Sequence, residues 1–129
     1  MSFVPATVDL TGTNTILQGT DWVRDFAITN GGSSVDLTDY TGAGSEARCN
    51  FRLTKATTAI VLTPAITIVA PATDGIIRMT ITPTLTESLG TSTISGVYDV
   101  ELKSNTVAGG KVERILQGTF TIDPEVTHT

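Results

Sequence analysis

The residues that most often carry out catalysis are scarce in this sequence. General acid–base chemistry near neutral pH usually depends on histidine, because its pKa is about 6.5. The only histidine is His128, the next-to-last residue, and chain ends are commonly mobile. We therefore expect no catalytic histidine. A histidine zinc site and a serine–histidine or cysteine–histidine nucleophile are not expected either.

Cys49 is the only cysteine, so no disulfide can form within the chain, and a single thiol does not identify a redox compartment. It lies in the stretch 47–53, where Ala, Cys, Phe and Leu alternate with Arg, Asn and Arg. This alternation is typical of a half-buried strand. We predict that Cys49 is a small buried hydrophobic residue and not a lone nucleophile.

Four carboxylates lie within one segment of the chain, namely Asp21, Asp25, Asp36 and Asp39. Paired carboxylates can perform acid–base catalysis, and clustered ones can bind calcium. Their spacing matches no calcium-binding loop, and solvated positions in strands and turns account for them equally well. The glycine-rich stretches 31–32 and 42–44 neither open a helix nor precede a P-loop lysine. We predict no catalytic, cofactor-binding or metal-binding residues and no enzymatic activity.

Trp22 is the only tryptophan and the one candidate for an aromatic that stacks on sugars. Phe26 and Ile28 follow it in phase with a strand, which favours core packing for all three. The chain has one Trp, two Tyr and four Phe, which is few for a carbohydrate-binding face. A carbohydrate-binding or adhesion module that uses Trp22 and the acidic loops near Asp36 and Asp39 remains the alternative function.

The chain carries a small negative net charge of −5. A nucleic-acid binder needs clustered cations, whereas the eight here are scattered along the sequence: Arg24, Arg48, Arg52, Lys55, Arg78, Lys103, Lys111 and Arg114. The first residues lack the pattern of a signal peptide, and no apolar run approaches the roughly 18 residues that span a membrane. We expect a protein made in a cytoplasm, with neither nucleic acid nor membrane as its partner.

The elements that position these residues are organised around residues 84–102. Residues 84–90 predict one short helical turn, the only helix-like piece of the chain, and Pro83 is favoured at its start. The strand 96–102 follows, with Tyr98, Val100 and Leu102 on one face. We interpret this segment as a crossover between two sheets, and we expect the buried Tyr98 hydroxyl to find a backbone partner.

Short apolar and β-branched runs, separated by turns at intervals of about 8–12 residues, predict an all-β, immunoglobulin-like antiparallel sandwich of seven to nine strands. Residues 105–110 join the Tyr98 strand to two further runs, 112–116 and 118–122. The spacing of these segments indicates a hairpin. We divide the chain into an N-terminal arm with weak strands (1–17), the sandwich (18–123) and a C-terminal tail (124–129). The predicted core consists of Trp22, Phe26, Ile28, Cys49, Phe51, Leu53, Ile77, Met79, Ile81, Tyr98, Val100, Leu102, Leu116, Phe120 and Ile122.

An ordered series of short motifs from about residue 18 to the end resembles the immunoglobulin-like module of phage virions. That module includes the N-terminal domain of phage baseplate upper proteins and is similar to capsid cement and decoration modules. The matching motifs are Gly19–Trp22 with Phe26–Ile28, Val35–Tyr40, Arg48–Leu53, Asp74–Ile77, Thr84–Thr86, Gly96–Leu102, Leu116–Gly118 and Pro124–Thr127. Residues 1–17 fall outside the pattern, and residues 42–45 look like a small insertion.

The resemblance implies a non-enzymatic structural protein of the virion that is made in the host cytoplasm. Such modules decorate or cement capsids or join tail and baseplate components. We favour the capsid role, because the chain is one small domain without an appended fibre or receptor module. The implied partners are major capsid or tail and baseplate proteins, together with further copies of this chain. Contacts through terminal arms and edge strands would hold them.

Overall fold

The computed structural model of the chain describes residues 6–105 and 110–124, which form an all-β sandwich. Its ten strands slightly exceed the seven to nine predicted, because four of them have only two residues. In chain order the elements are β1 (Ala6–Thr7), β2 (Ile16–Leu17), β3 (Trp22–Ala27), β4 (Thr29–Asn30), β5 (Ser33–Ser34), β6 (Glu46–Arg52), β7 (Ala65–Ile68), β8 (Ile76–Ile81), α1 (Pro83–Glu87), β9 (Ile94–Lys103) and β10 (Val112–Asp123).

The strands form two main sheets and one small hairpin. The five-stranded sheet has the antiparallel order β6-β9-β10, and both β1 and β2 pair in parallel with β10. The three-stranded sheet has the order β3-β8-β7, and β4 pairs with β5. Strands β6, β9 and β10 thus stand in the order C, F, G of an immunoglobulin-like domain, and β3, β8 and β7 stand in the order B, E, D. The predicted fold class is confirmed.

Alternation along the strands places one face of each sheet in a common core. In β8, for example, Ile77, Met79 and Ile81 are fully buried while Arg78 between them is exposed. The predicted core is confirmed at most positions, although Phe26 is only partly buried. The prediction for Leu53 is wrong, since its side chain is 53% exposed. It lies just past the end of β6, where the alternation stops.

The described part of the predicted arm, residues 6–17, lies along β10. Beyond the pairs made by β1 and β2, Leu10 forms a bridge with Phe120. Leu10 and Ile16 are buried, although the sequence analysis did not assign them to the core. Weak strands were expected in this segment, and it contains two short ones, β1 and β2. The predicted arm residues 1–5 and tail residues 125–129 lie outside the described residues.

Helix α1 connects β8 in one sheet to β9 in the other, as the crossover interpretation predicts. It is not the only helix-like piece, however, and that expectation was wrong. Single 3-10 turns occur at Gly12–Asn14, Thr38–Tyr40 and Ala72–Asp74, where glycine, threonine and aspartate close short connections. No helix within the described residues is long and apolar enough to cross a membrane.

Residues 112–123 form one continuous strand, β10, whose hairpin partner is β9. Glycine 118 therefore marks no break between two strands. A Cβ atom at Gly118 would lie only 2.0 Å from the carbonyl oxygen of Val8, so glycine is needed there to let residues 6–10 approach. A bulge between Arg114 and Leu116 shifts the register and leaves Ile115 and Leu116 both buried.

Candidate functional site

The environment of Cys49 is that of a core residue. The side chain is 2% exposed on β6, opposite Val100 of β9. Burial raises the pKa of the Cys49 thiol far above its usual range, and the nearby charge of Asp99 adds to the effect. Because the thiolate is the reactive form, this cysteine is inert, as the strand pattern predicted.

The four carboxylates considered for acid–base or calcium chemistry have mainly structural surroundings. Asp25 forms a bidentate ion pair across the sheet with Arg78, at 2.8 and 3.0 Å. That hydrogen bonding lowers the pKa of Asp25. Asp36 accepts hydrogen bonds from the hydroxyl and the backbone N–H of Thr38, which lower its pKa. Asp21 and Asp39 are exposed.

Within residues 6–105 and 110–124, no three side chains of the metal-binding types come together. His128, the residue examined for acid–base catalysis, lies outside these ranges. The predicted absence of catalytic, cofactor-binding and metal-binding residues stays a prediction.

Trp22 is only 4% exposed, which confirms the core interpretation. The guanidinium carbon of Arg24 lies 5.2 Å from the centre of the Trp22 ring. This distance is within the range of a cation–π contact. The ring is therefore not available as a platform on which a sugar could stack.

A buried polar network holds the crossover against the turn before β3. The Gln18 side-chain amide donates to the carbonyls of Thr86 at 2.9 Å and Gly90 at 2.8 Å. The backbone N–H of Gly19 donates to the Thr86 hydroxyl at 2.9 Å. Gln18 is 4% exposed and Thr86 is fully buried. The sequence carries no signal for this pair, because no periodic pattern links residues 68 positions apart. Its role is structural.

The outward face of the five-stranded sheet is polar and concave, with a cavity of about 490 Å³. Glu101 lies between Arg48 and Arg114 in one cross-strand row. Ion pairs link Arg48 to Glu101 at 3.7 Å and Arg114 to Asp99 at 3.4 Å. The fold thus brings cations that are scattered in the sequence together on one face, among them Arg48, Arg52, Lys55 and Arg114.

The arginines of this face are already engaged with neighbouring carboxylates or with nearby backbone. Arg52, for example, donates hydrogen bonds to the carbonyls of Thr57 and Thr58. Exposed ion pairs of this kind contribute roughly 0–1 kcal/mol each. We therefore regard the face as a solvated surface whose charges largely satisfy one another.

The free side of β7 is different, because its backbone groups have no such partners. Among the described strands, β7 pairs only with β8, and the N–H of Val69 donates to the Ile76 carbonyl at 2.9 Å. In an antiparallel ladder the residues that bond to the neighbour alternate with those that face away. The N–H and C=O groups of Ile66 and Ile68 therefore point away from β8, and they meet no backbone partner in the described part of the chain. We call this row of groups the β7 edge.

The β7 edge also lacks the charges that protect the other strand edges. Strand β3 carries Arg24 and Asp25, and β6 carries charges at both ends and in its middle. The outer side of β10 is covered by residues 6–17. Residues 56–73, which include β7, form the longest stretch without Lys, Arg, Asp or Glu. Exposed edges without such charges are prone to pair with further strands.

A groove of about 320 Å³ runs beside the β7 edge, between β7 and β6, and we call it the β7 groove. Ile66 and Ile68 are partly buried on its inner side, while Thr67 is exposed. Its lining consists of Tyr40, Thr41, Ser45, Ala47, Ile66, Thr67 and Ile68. Strand addition combines main-chain hydrogen bonds with contacts to alternate side chains. The β7 edge and the β7 groove provide both, so together they are the candidate functional site.

Comparison with known proteins adds no family to this description. No protein-family model matches the sequence, and no curated protein matches it. The function must therefore be inferred from the fold, its surfaces and the resemblance noted in the sequence.

Proposed function

We propose that this chain is a non-enzymatic structural protein of a bacteriophage virion, with capsid cement or decoration favoured over a tail or baseplate role. It acts by protein–protein contact, is made in the host cytoplasm and resides in the particle. Its partners are other structural proteins of the phage and further copies of itself.

The observation that carries this proposal is the uncharged, unpaired β7 edge beside the β7 groove. The flanking prolines Pro64 and Pro71 and the short length of β7 limit this edge. Neither a charged residue on the strand nor a covering segment within the described residues protects it. Assembly into a larger particle covers it instead. The motifs that resemble phage virion modules give this interaction its biological setting.

Mass spectrometry of purified particles tests the proposal first, since a virion protein is present there in fixed copy number. Cosedimentation of the purified chain with empty shells and with isolated tails then separates the two placements. Binding to shells supports the capsid role, and binding to tails supports the baseplate role. Absence from particles, together with no binding to either, would contradict the proposal. Neighbouring portal and capsid genes, or tape-measure and fibre genes, give an independent indication.

The carbohydrate-binding alternative depended on an exposed Trp22, and that ring is buried. Asp36 is engaged by Thr38 as well. No feature of the structure favours this alternative over the structural role. A glycan array probed with and without calcium tests it directly, and specific signals would count against our proposal.

A further inference from the structure

We propose that the β7 edge is a twofold interface at which two copies of this chain join their three-stranded sheets into one continuous six-stranded sheet. The proposal deepens the proposed function, on which it rests for the role of this edge in assembly, by naming a second copy as the partner. It is carried by the hydrogen-bonding pattern, the charge and the length of β7.

The backbone groups of the β7 edge are self-complementary. A twofold axis normal to the sheet, placed at Thr67, sets Ile66 of one copy opposite Ile68 of the other. The same axis sets Ile68 of the first copy opposite Ile66 of the second, which makes two equivalent pairs. Both residues direct their N–H and C=O groups outward, so each pair exchanges two hydrogen bonds. Four new backbone hydrogen bonds result. Thr67 then faces its own symmetry mate as a non-hydrogen-bonded pair.

The prolines that flank β7 favour this register over its neighbours. The next outward-facing position before Ile66 is Pro64, which has no N–H to donate. Shifting the register by two residues in one direction would set Ile68 opposite Pro64 of the other copy and lose donors. Shifting it the other way would bring Pro71 towards the interface. Of these alignments, only the one centred on Thr67 keeps every outward-facing pair within β7 and needs no donor from proline.

Charge explains why a second copy is a suitable occupant. A twofold axis brings the same edge of the two copies together, so an edge with net charge would repel the identical edge of its partner. The β7 edge lies within residues 56–73, which contain no Lys, Arg, Asp or Glu and therefore carry no net charge. Because the interface uses the same edge on both copies, it closes on itself and yields a dimer instead of a fibre.

The side chains on the inner face also gain from the pairing. Ile66 and Ile68 are only partly buried and already pack against the core. With Ile66 of one copy opposite Ile68 of the other, these side chains would extend the core across the axis. They would also cover the β7 groove near Tyr40 and Ala47. Four residues per copy make a small interface compared with the roughly 20–30 per side of a standard complex. We therefore expect a weak dimer in dilute solution that is reinforced when copies are held in an array.

Charge variants at Thr67 give a sharp test, because this exposed side chain would lie opposite itself across the axis. Wild type should show a monomer–dimer equilibrium by sedimentation at concentrations up to about 1 mM. Thr67→Arg and Thr67→Glu should each raise the dissociation constant roughly tenfold or more, through repulsion between like charges at close range. An equimolar mixture of the two variants should restore dimerisation as a heterodimer.

Val23→Arg is the matched control, since it adds the same charge at an exposed position on the opposite edge of the same sheet. It should leave the dissociation constant unchanged. Thr67 lies beside Arg78 of β8, so thermal denaturation of each variant checks that the monomer remains folded. A wild type that stays monomeric up to about 1 mM would overturn the proposal. So would equal effects of the Thr67 and Val23 variants, or a mixture that fails to restore the dimer.

The same variants separate this proposal from the proposed function. If Thr67→Arg abolishes dimers but still binds shells or tails, the virion role stands and the dimer is not needed for attachment. If wild type forms the dimer yet is absent from particles and binds neither shells nor tails, the virion role fails and the twofold interface stands.

Discussion

Replacement of Tyr98 by Phe tests how residues 6–17 are held to the sandwich. The buried Tyr98 hydroxyl donates a hydrogen bond of 2.6 Å to the carbonyl of Val8. The sequence predicted a backbone partner for this hydroxyl, and the structure confirms one. The partner belongs to the segment that lies along β10. Tyr98→Phe removes this bond and keeps the ring, whose centre lies 5.2 Å from that of Phe51.

The expected loss of stability follows from the chemistry of a single buried hydroxyl. A neutral hydrogen bond contributes a net of about 1 kcal/mol, and an acceptor left without a partner adds to the cost. We therefore expect the free energy of unfolding to fall by about 1–2 kcal/mol. For a domain of this size the midpoint temperature should fall by roughly 3–10 °C.

Urea denaturation gives the free energy, and the slope m should stay unchanged because the surface exposed on unfolding is the same. Native-state hydrogen exchange localises the effect. The amides of Val8 and Leu10, which donate to carbonyls of β10 at 2.9 and 2.7 Å, should lose protection before those of β9. Such a pattern would show that the Tyr98 hydroxyl holds this segment in particular.

Tyr40→Phe is the matched control. Tyr40 is also buried, at 8% exposure, but its hydroxyl has no hydrogen bond within the described residues. Its removal should change the free energy of unfolding by less than about 0.5 kcal/mol. Equal effects of the two variants would refute the role assigned to the Val8 contact. So would a Tyr98→Phe protein with unchanged protection in residues 6–10.

Three further variants probe other contacts. Gly118→Ala should destabilise the protein by about 2 kcal/mol or more in urea denaturation, because its Cβ would lie 2.0 Å from the Val8 carbonyl. Gln18→Leu should cost roughly 2–4 kcal/mol in the same assay, since two backbone carbonyls of the crossover lose their donor. Asp25→Asn should lower stability at neutral pH but not in strong acid. Hydrogen bonding to Arg78 lowers the pKa of Asp25 below its ordinary value, so the ion pair stabilises the fold above that ordinary value and is lost as the pH falls through the lowered pKa. Denaturation at pH 7 and at pH 2 measures the difference, and an effect that persists in acid would contradict this account.

The fold class, the crossover and most of the core could be predicted because they depend on local patterns. Period-two alternation in β6, β8 and β9 fixes which side chains face inward. Pro83 and the short turn after it mark the one α-helix within residues 6–105 and 110–124. The error at Leu53 arose because alternation does not reveal where a strand ends.

The remaining features depend on contacts between distant parts of the chain. Leu10 and Ile16 are buried because their segment pairs with β10, about 110 positions away. The Gln18 and Thr86 network links residues 68 positions apart. The β7 edge is defined by what does not pair with it, and a single sequence cannot show that. Site prediction was therefore limited to excluding chemistry that the residue types do not support.

The pairing of residues 6–17 with the last strand also determines when the sheet can be completed. Residues 6–17 are synthesised more than 100 residues before their partner positions, 116–123. Until then these residues have no strand to join, and the edge of the sheet that they cover does not exist. Closing so long a loop is an entropically costly step that local structure cannot hasten. Folding of this sandwich therefore finishes only after β10 has been translated.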